Sequence, residues 1–341
     1  MKSPQKMRFG LFFLPIASSR SEILSEYEQI LEECVEADTR GWHSVWFTEH
    51  HFDRYGGIIP SPFVIMAAAA RLTHRVRLGT AVSVLPLADP VRLAEEAAMV
   101  DVLSNGRVDI GVGRGFMPHE FAAISLNAEE RVARMRDGWQ TIKAIWDERG
   151  VSFDGEGVRL QSLRLMPRPV QSPHPTLWMA ASTSRESFET AGKQGFHLML
   201  NPYNRTIGEL DEGLALYRRS AELAGFSWET RRVLVNFPMF IGESANEARE
   251  GARHAFGNYL SAMEAAFKRD GGTRSISRGD YNAVCSKVLF GTPDEVVDRL
   301  SAWRAWGATD VSLMTRFADL PYDAARRSRD LFMQRVAPCL S

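Results

Sequence analysis

Three short segments hold side chains whose types and spacing could do chemistry. The first is TEHHF, Thr48–Phe52, which sets Glu49, His50 and His51 directly after the apolar run VWF. Burying that much polarity is costly unless it is partnered or put to use. A histidine here can pack behind its strand, ligate a metal, or face a ligand as a general acid/base steadied by a carboxylate. A metal would need further ligands at suitable spacing, and the chain has no HxxxH pair or carboxylate cluster, so no metal is expected. Successive strand residues point oppositely, so His50 and His51 are not expected to share a role.

The second segment, GVGRGFMPHEF at Gly111–Phe121, flanks Arg114 with Gly113 and Gly115. A dinucleotide fingerprint is excluded, because the glycines fall as GxGxG with no acidic residue at the required distance. Glycine still allows close backbone approach, and arginine can hold a phosphate through two parallel hydrogen bonds. The alternative is a tight turn with a surface arginine. In the third, AASTSRES at Ala180–Ser187, a strand end meets a helix start bearing Ser182, Thr183 and Ser184. Free N–H groups, the helix dipole and hydroxyls together make an anion seat, or else the hydroxyls simply cap the helix.

These segments need a frame, and the chain supplies one by alternating short apolar runs with longer amphipathic ones. MRFGLFFLP, SVWFTEH, VRLGTAVSVLP, RVDIGVG, TLWMAAS, HLMLNP, VLVNFPMFIGES and DVSLMTRF read as eight strands, separated by helical periodicity such as Ile23, Tyr27, Ile30, Leu31 and Cys34. Thr292 and Pro293 mark the start of one more helix before the last strand. Eight strands, each followed by helix, predict a (β/α)8 TIM barrel spanning 1–341 as a single domain. A period-two stretch over 150–175 predicts a hairpin insertion after strand four, 268–285 a mobile loop before strand eight, and 1–6 a flexible tail. In such a barrel the strands' C-terminal ends form the active face, and all three polar segments fall there.

Bulk properties narrow the partners. With 41 basic and 42 acidic residues the chain is near neutral, and its charges are interspersed, so no nucleic-acid or membrane partner is indicated. The three cysteines are widely spaced without a CxxC, which fits a cytoplasmic protein without disulfides. No run is apolar for long enough to span a bilayer.

Taken in order, FGLFFLP, WFTEHHF, RLGTAVSVLPLADPVRLAEE, SNGRVDIGVGRG, ASTSRES and GTPDEV resemble the bacterial luciferase-like, flavin-dependent monooxygenase family over nearly the whole chain. The resemblance implies FMN, or in a sister branch the deazaflavin F420, at the barrel mouth. It implies a cis peptide at Ala81–Val82 beneath the flavin ring, and Arg114, Ser182, Thr183 and Ser184 around the phosphate, with Gly113 and Gly115 also in the cofactor site. It matches His50 to the catalytic histidine and Glu120 to an acidic residue near the flavin. Gly113 stands where the light-emitting subunit has a reactive cysteine, and Ala181 where it has an acid, so light emission is not expected. The activity implied is a monooxygenase in which reduced FMN from a separate reductase reacts with O2, through a flavin C4a-hydroperoxide, to oxygenate a small organic substrate. F420-dependent hydride transfer and a non-catalytic flavin-binding partner subunit are the alternatives. A homodimer is expected, and Phe13, Asn236, Phe237 and Arg316 are candidate pocket walls.

Overall fold

The computed structural model describes residues 6–146, 151–155, 158–163, 165–182, 184–202, 205–269 and 287–341, with backbone alone for 151–163. Eight parallel strands close into a barrel: β1 (Arg8–Phe13), β2 (Ser44–Phe47), β3 (Arg77–Val84), β4 (Val108–Gly113), β7 (Thr176–Ala181), β8 (His197–Leu200), β9 (Val233–Ile241) and β11 (Asp310–Met314). Each pairs with the next, and the ring shuts where β8 meets β9 and where β11 lies between β9 and β1. These are the eight strands expected, in the order expected.

Helices α1 (Arg20–Arg40), α2 (Pro62–Leu72), α3 (Pro90–Ser104), α4 (Pro118–Ala123), α5 (Arg131–Trp146), α6 (Arg185–Lys193), α7 (Ile207–Leu223), α8 (Ala245–Arg269), α9 (Pro293–Trp306) and α10 (Tyr322–Leu331) accompany the strands. Their ends follow from local chemistry. Ser19 and Glu22 form a capping box at α1, as Thr292 and Glu295 do at α9, each satisfying two otherwise orphaned N–H groups. Asp89 accepts from the amides of Val91 and Arg92 to start α3.

Between α5 and β7 lies an antiparallel pair, β5 (Val151–Gly155) and β6 (Val158–Leu163), where the period-two pattern fell. Two elements were not anticipated: α4, too short to show a periodic face, and β10 (Leu289–Gly291), three residues that extend the end of β9. The segment read as a mobile loop lies outside the described residues beyond Arg269.

Strand alternation sorts the apolar residues into two layers. Val45, Phe47, Ile110, Val112, Val235 and Leu313 face the helices. Phe12, Trp46, Trp178, Met199, Leu234 and Met314 fill the barrel, with Trp46 and Trp178 meeting edge to face at 5.5 Å. Three of the four expected pocket walls prove to be on the wrong side for that role. Phe13 stacks on Phe47 and Phe237 packs on Trp303 in the outer layer, while Arg316 is bound to Glu26 and Glu33 of α1. The reason is parity: Phe12 and Leu14 point inward, so Phe13 cannot. Asn236 does face inward, donating to Ser312 Oγ at 3.0 Å.

The barrel's N-terminal end is sealed by charge. Asp310 accepts from Arg8, Arg232 and Thr309, and Asp109 accepts from Arg77 and Trp178. Burial would raise the Asp310 carboxyl, but the Arg232 guanidinium bonded to it holds it below the usual range. Burial, reinforced by Arg232, pushes His43 down to about 4. Burial, with Arg231 and Arg232 adding to it, pushes His197 down to about 3. Both rings are therefore neutral when the protein is folded.

Candidate functional site

At the other end, the residues after β2 turn back across the barrel rim. The His50 amide donates to the Ile59 carbonyl at 3.3 Å, and the turn passes through Gly56 at φ +73. A side chain at Gly56 would start 2.8 Å from His50 Cδ2, so the close return that boxes in the ring requires glycine. Tyr55 and Phe116 supply further walls, with ring centroids 5.4 and 5.8 Å from that of His50.

The carboxylate needed to steady a histidine comes from 70 residues away. Glu120, in the first turn of α4, is 2 % exposed and places Oε1 3.0 Å from His50 Nδ1. The same oxygen accepts the His51 amide at 3.0 Å, so it serves as an acceptor and His50 Nδ1 is the donor. His50 Nε2 makes no hydrogen bond among the described residues. With Nδ1 engaged by the carboxylate, Nε2 is left available for a ligand. Glu120 was expected beside the cofactor; its observed partners are the two consecutive histidines.

His51 goes its own way, as alternation requires. Its Nε2 lies 3.2 Å from Glu49 Oε1, and Glu49 Oε2 accepts the Val84 amide. The hydrogen bond to Glu49 raises the pKa of His51 above that of an ordinary histidine. The neighbouring His119 ring lies 3.0 Å from the His51 carbonyl oxygen. Sequence reasoning did not foresee this second pair, although Glu49 and His51 were both in view.

Beside His50 the rim is formed by β3 and β4. The Ala81–Val82 peptide is cis, as expected, and the β3–β4 register shifts between Thr80 and Ser83. Ala81 and Val82 are the partly exposed residues of a stretch otherwise buried from Leu78 to Val84, which leaves them open to a ligand. A Cβ on Gly113 would sit 2.4 Å from Val82 Cγ2, so glycine is what lets Val82 occupy the rim. Gly115, at φ +68, then turns the chain away toward α4.

Arg114 points toward the start of α6. Its Nη1 lies 3.4 Å from Glu186, in the first turn of that helix. Ser184 is the N-cap residue, yet its side chain makes no capping bond. Plain capping therefore does not account for its hydroxyl. Ser182 is exposed, and Thr183 lies outside the described residues. A guanidinium, a helix N-terminus and uncommitted hydroxyls make a donor set suited to a phosphate. Among the described residues no group of three or more His, Cys, Asp or Glu is placed to hold a metal ion, and no helix is long and apolar enough to cross a membrane.

Comparison with known proteins gives a consistent picture. A family model described as luciferase-like monooxygenase matches residues 7–310. The oxygenase component of the flavin-dependent trigonelline monooxygenase of Acinetobacter baylyi is 28% identical, covering 98% of this chain and 96% of that protein. The crystal structure of the monooxygenase RslO1 from Streptomyces bottropensis superposes with a TM-score of 0.89 at 31% identity, covering 98% of this chain and 100% of that one. The oxygenating constituent of 3,6-diketocamphane monooxygenase from Pseudomonas putida, solved with FMN, shares the fold at TM-score 0.79 and 20% identity, with 98% of each chain covered.

Proposed function

The chain belongs to the luciferase-like monooxygenase family, and on that premise we propose that it is a cytoplasmic monooxygenase which uses FMN, reduced by a separate reductase, and O2 to oxygenate a small organic substrate. The observation that carries this reading is the convergence on one rim of the His50–Glu120 pair, the partly exposed Ala81–Val82 platform and the Arg114 corner.

In this reading Arg114, Ser182, Thr183 and Ser184 hold the FMN phosphate, and Gly113 and Gly115 let the backbone lie close to it. Ala81 and Val82 support the ring system, and Glu120 belongs to the cofactor side of the pocket through His50. When bound and reduced, the flavin supplies the electrons that activate O2. The protein's work is to orient both reactants and to keep water from the reacting atoms. His50, through Nε2, takes and returns a proton at the substrate, and Glu120 keeps the ring in the tautomer that can do so. Tyr55 and Phe116 wall the His50 ring, and Phe116 in turn packs on Phe267.

The supply of reduced flavin by a second protein is supported by the Acinetobacter relative, which is named as an oxygenase component. A homodimer is part of the proposal. Val64 and Leu72 on α2, with Met99 and Val102 on α3, form exposed apolar stripes that a second copy would cover. The deciding experiment mixes the protein with chemically reduced FMN and O2, and in parallel with reduced F420. The expected outcome is FMN uptake and incorporation of one 18O atom into an organic product. Hydride transfer with F420 and no oxygen incorporation would replace this reading, and flavin binding without turnover would make the chain a non-catalytic partner.

A further inference from the structure

In three helices of this protein a glutamate of the first turn serves the helix itself. Glu22 of α1, Glu209 of α7 and Glu295 of α9 each stand three residues after the N-cap, and each folds back onto the N-cap amide in a capping box. At α6 the spacing is one residue shorter. Ser184 is the N-cap and Glu186 follows two residues later, too early to close such a box, and no side-chain cap forms. The carboxylate is left to another partner: Glu186 Oε2 lies 3.4 Å from Arg114 Nη1.

The other guanidinium at this corner, that of Arg185, is bonded to Glu212 of α7. Both cations beside the helix start are therefore already paired with an acid. A phosphate dianion arriving at Arg114 has to displace Glu186 or lie beside it, and like-charge repulsion weakens its hold in either case. A carboxylate in the first turn also offsets the positive helix terminus, the other half of the anion seat. Exposure decides which partner gives way. The Glu186 side chain is 60% exposed and that of Arg114 30%, so the acid can swing into solvent while the guanidinium stays on the rim.

We propose that Glu186 is an internal competitor for the cofactor phosphate: it holds Arg114 in the free protein, yields to FMN, and takes the guanidinium back as FMN leaves. The proposal rests on the FMN reading above, and it meets a requirement of that reading. A flavin reduced on one protein and used on another must enter and leave at each turnover, so its seat has to recognise the phosphate and still release it. A competing ion pair loosens the phosphate without removing the arginine that recognises it. No covalent bond changes in the exchange; one ion pair replaces another.

The test is a titration of the wild type and Glu186→Gln with FMN and with riboflavin, which lacks the phosphate. Glu186→Gln keeps the shape of the side chain and removes its charge. It should bind FMN about three- to fivefold more tightly, the upper range for an exposed ion pair, and release it more slowly by a similar factor in stopped flow. Riboflavin affinity should not change. In an Arg114→Ala background the same substitution should gain less than about twofold, because the contested guanidinium is gone. FMN binding that is equal or weaker in Glu186→Gln, an equal gain for riboflavin, an unchanged release rate, or a full gain without Arg114 would each overturn the proposal. A second measurement needs no flavin. The Arg114 side-chain 15N resonance should respond to inorganic phosphate at about threefold lower concentration in Glu186→Gln than in the wild type. Identical phosphate responses would refute the competition even if FMN binds. The expected difference in a protein that takes up no flavin would support the competition while the cofactor reading fails.

Discussion

The two ends of the barrel use the same residue types to opposite effect. At the N-terminal end, Asp310 is surrounded by Arg8, Arg232 and Thr309, and Asp109 by Arg77 and Trp178, so both carboxylates are fully engaged. At the C-terminal rim, among the described residues, His50 has one nitrogen bound to Glu120 and the other uncommitted, Ser83 is unpartnered, and the Ser184 hydroxyl caps nothing. A satisfied polar network holds a fold in place, whereas an unsatisfied one is poised for a ligand. The contrast also explains the histidines. His43 and His197 are held neutral by burial among cations, while His51 is raised by a carboxylate.

This division of labour can be broken deliberately. Arg232→Ala would leave Asp310 buried without its main partner and should cost about 3–5 kcal/mol of stability, read by denaturant unfolding. The surviving folded fraction should bind flavin as before. His50→Ala should do the reverse, lowering product formation by about 10²–10⁴-fold with a smaller loss of stability than Arg232→Ala, because Glu120 keeps the His51 amide as a partner. If each variant damaged both properties, the two ends would not be specialised.

Acidification probes the N-terminal end through its two depressed histidines. Histidines whose folded pKa is depressed contribute stability that is complete above the unfolded value of 6.5 and is lost as pH falls toward the folded values, about 4 for His43 and about 3 for His197. Thermal stability should therefore decline from pH 6.5 downward. His43→Gln, which still offers Arg232 an acceptor, should flatten the upper part of that slope. The smallest expected effect is Arg114→Ala, which should weaken FMN binding by about tenfold in a fluorescence titration and leave stability unchanged, because Arg114 is partly exposed and its ion pair with Glu186 is on the surface.

Much of the architecture was legible because it is written in short-range patterns. Alternating strands, amphipathic helices and caps such as Thr292–Glu295 depend on residues within a turn or two of one another. The rim location of EHHF, GVGRG and ASTSRES followed once the strand count reached eight. Their individual neighbours did not. That Phe13 and Phe237 face the helices was hidden because a fully apolar strand gives no sign of its inward parity.

By itself, the amino-acid sequence determined the barrel, its family and the set of side chains at the rim, since periodicity and local motifs suffice for those. Tertiary structure alone decided that Glu120 reaches back to His50, that Glu49 claims His51 instead, and that Glu186 meets Arg114. Such pairings depend on distances across loops of no fixed period, which close only when the whole sheet has curled into a ring.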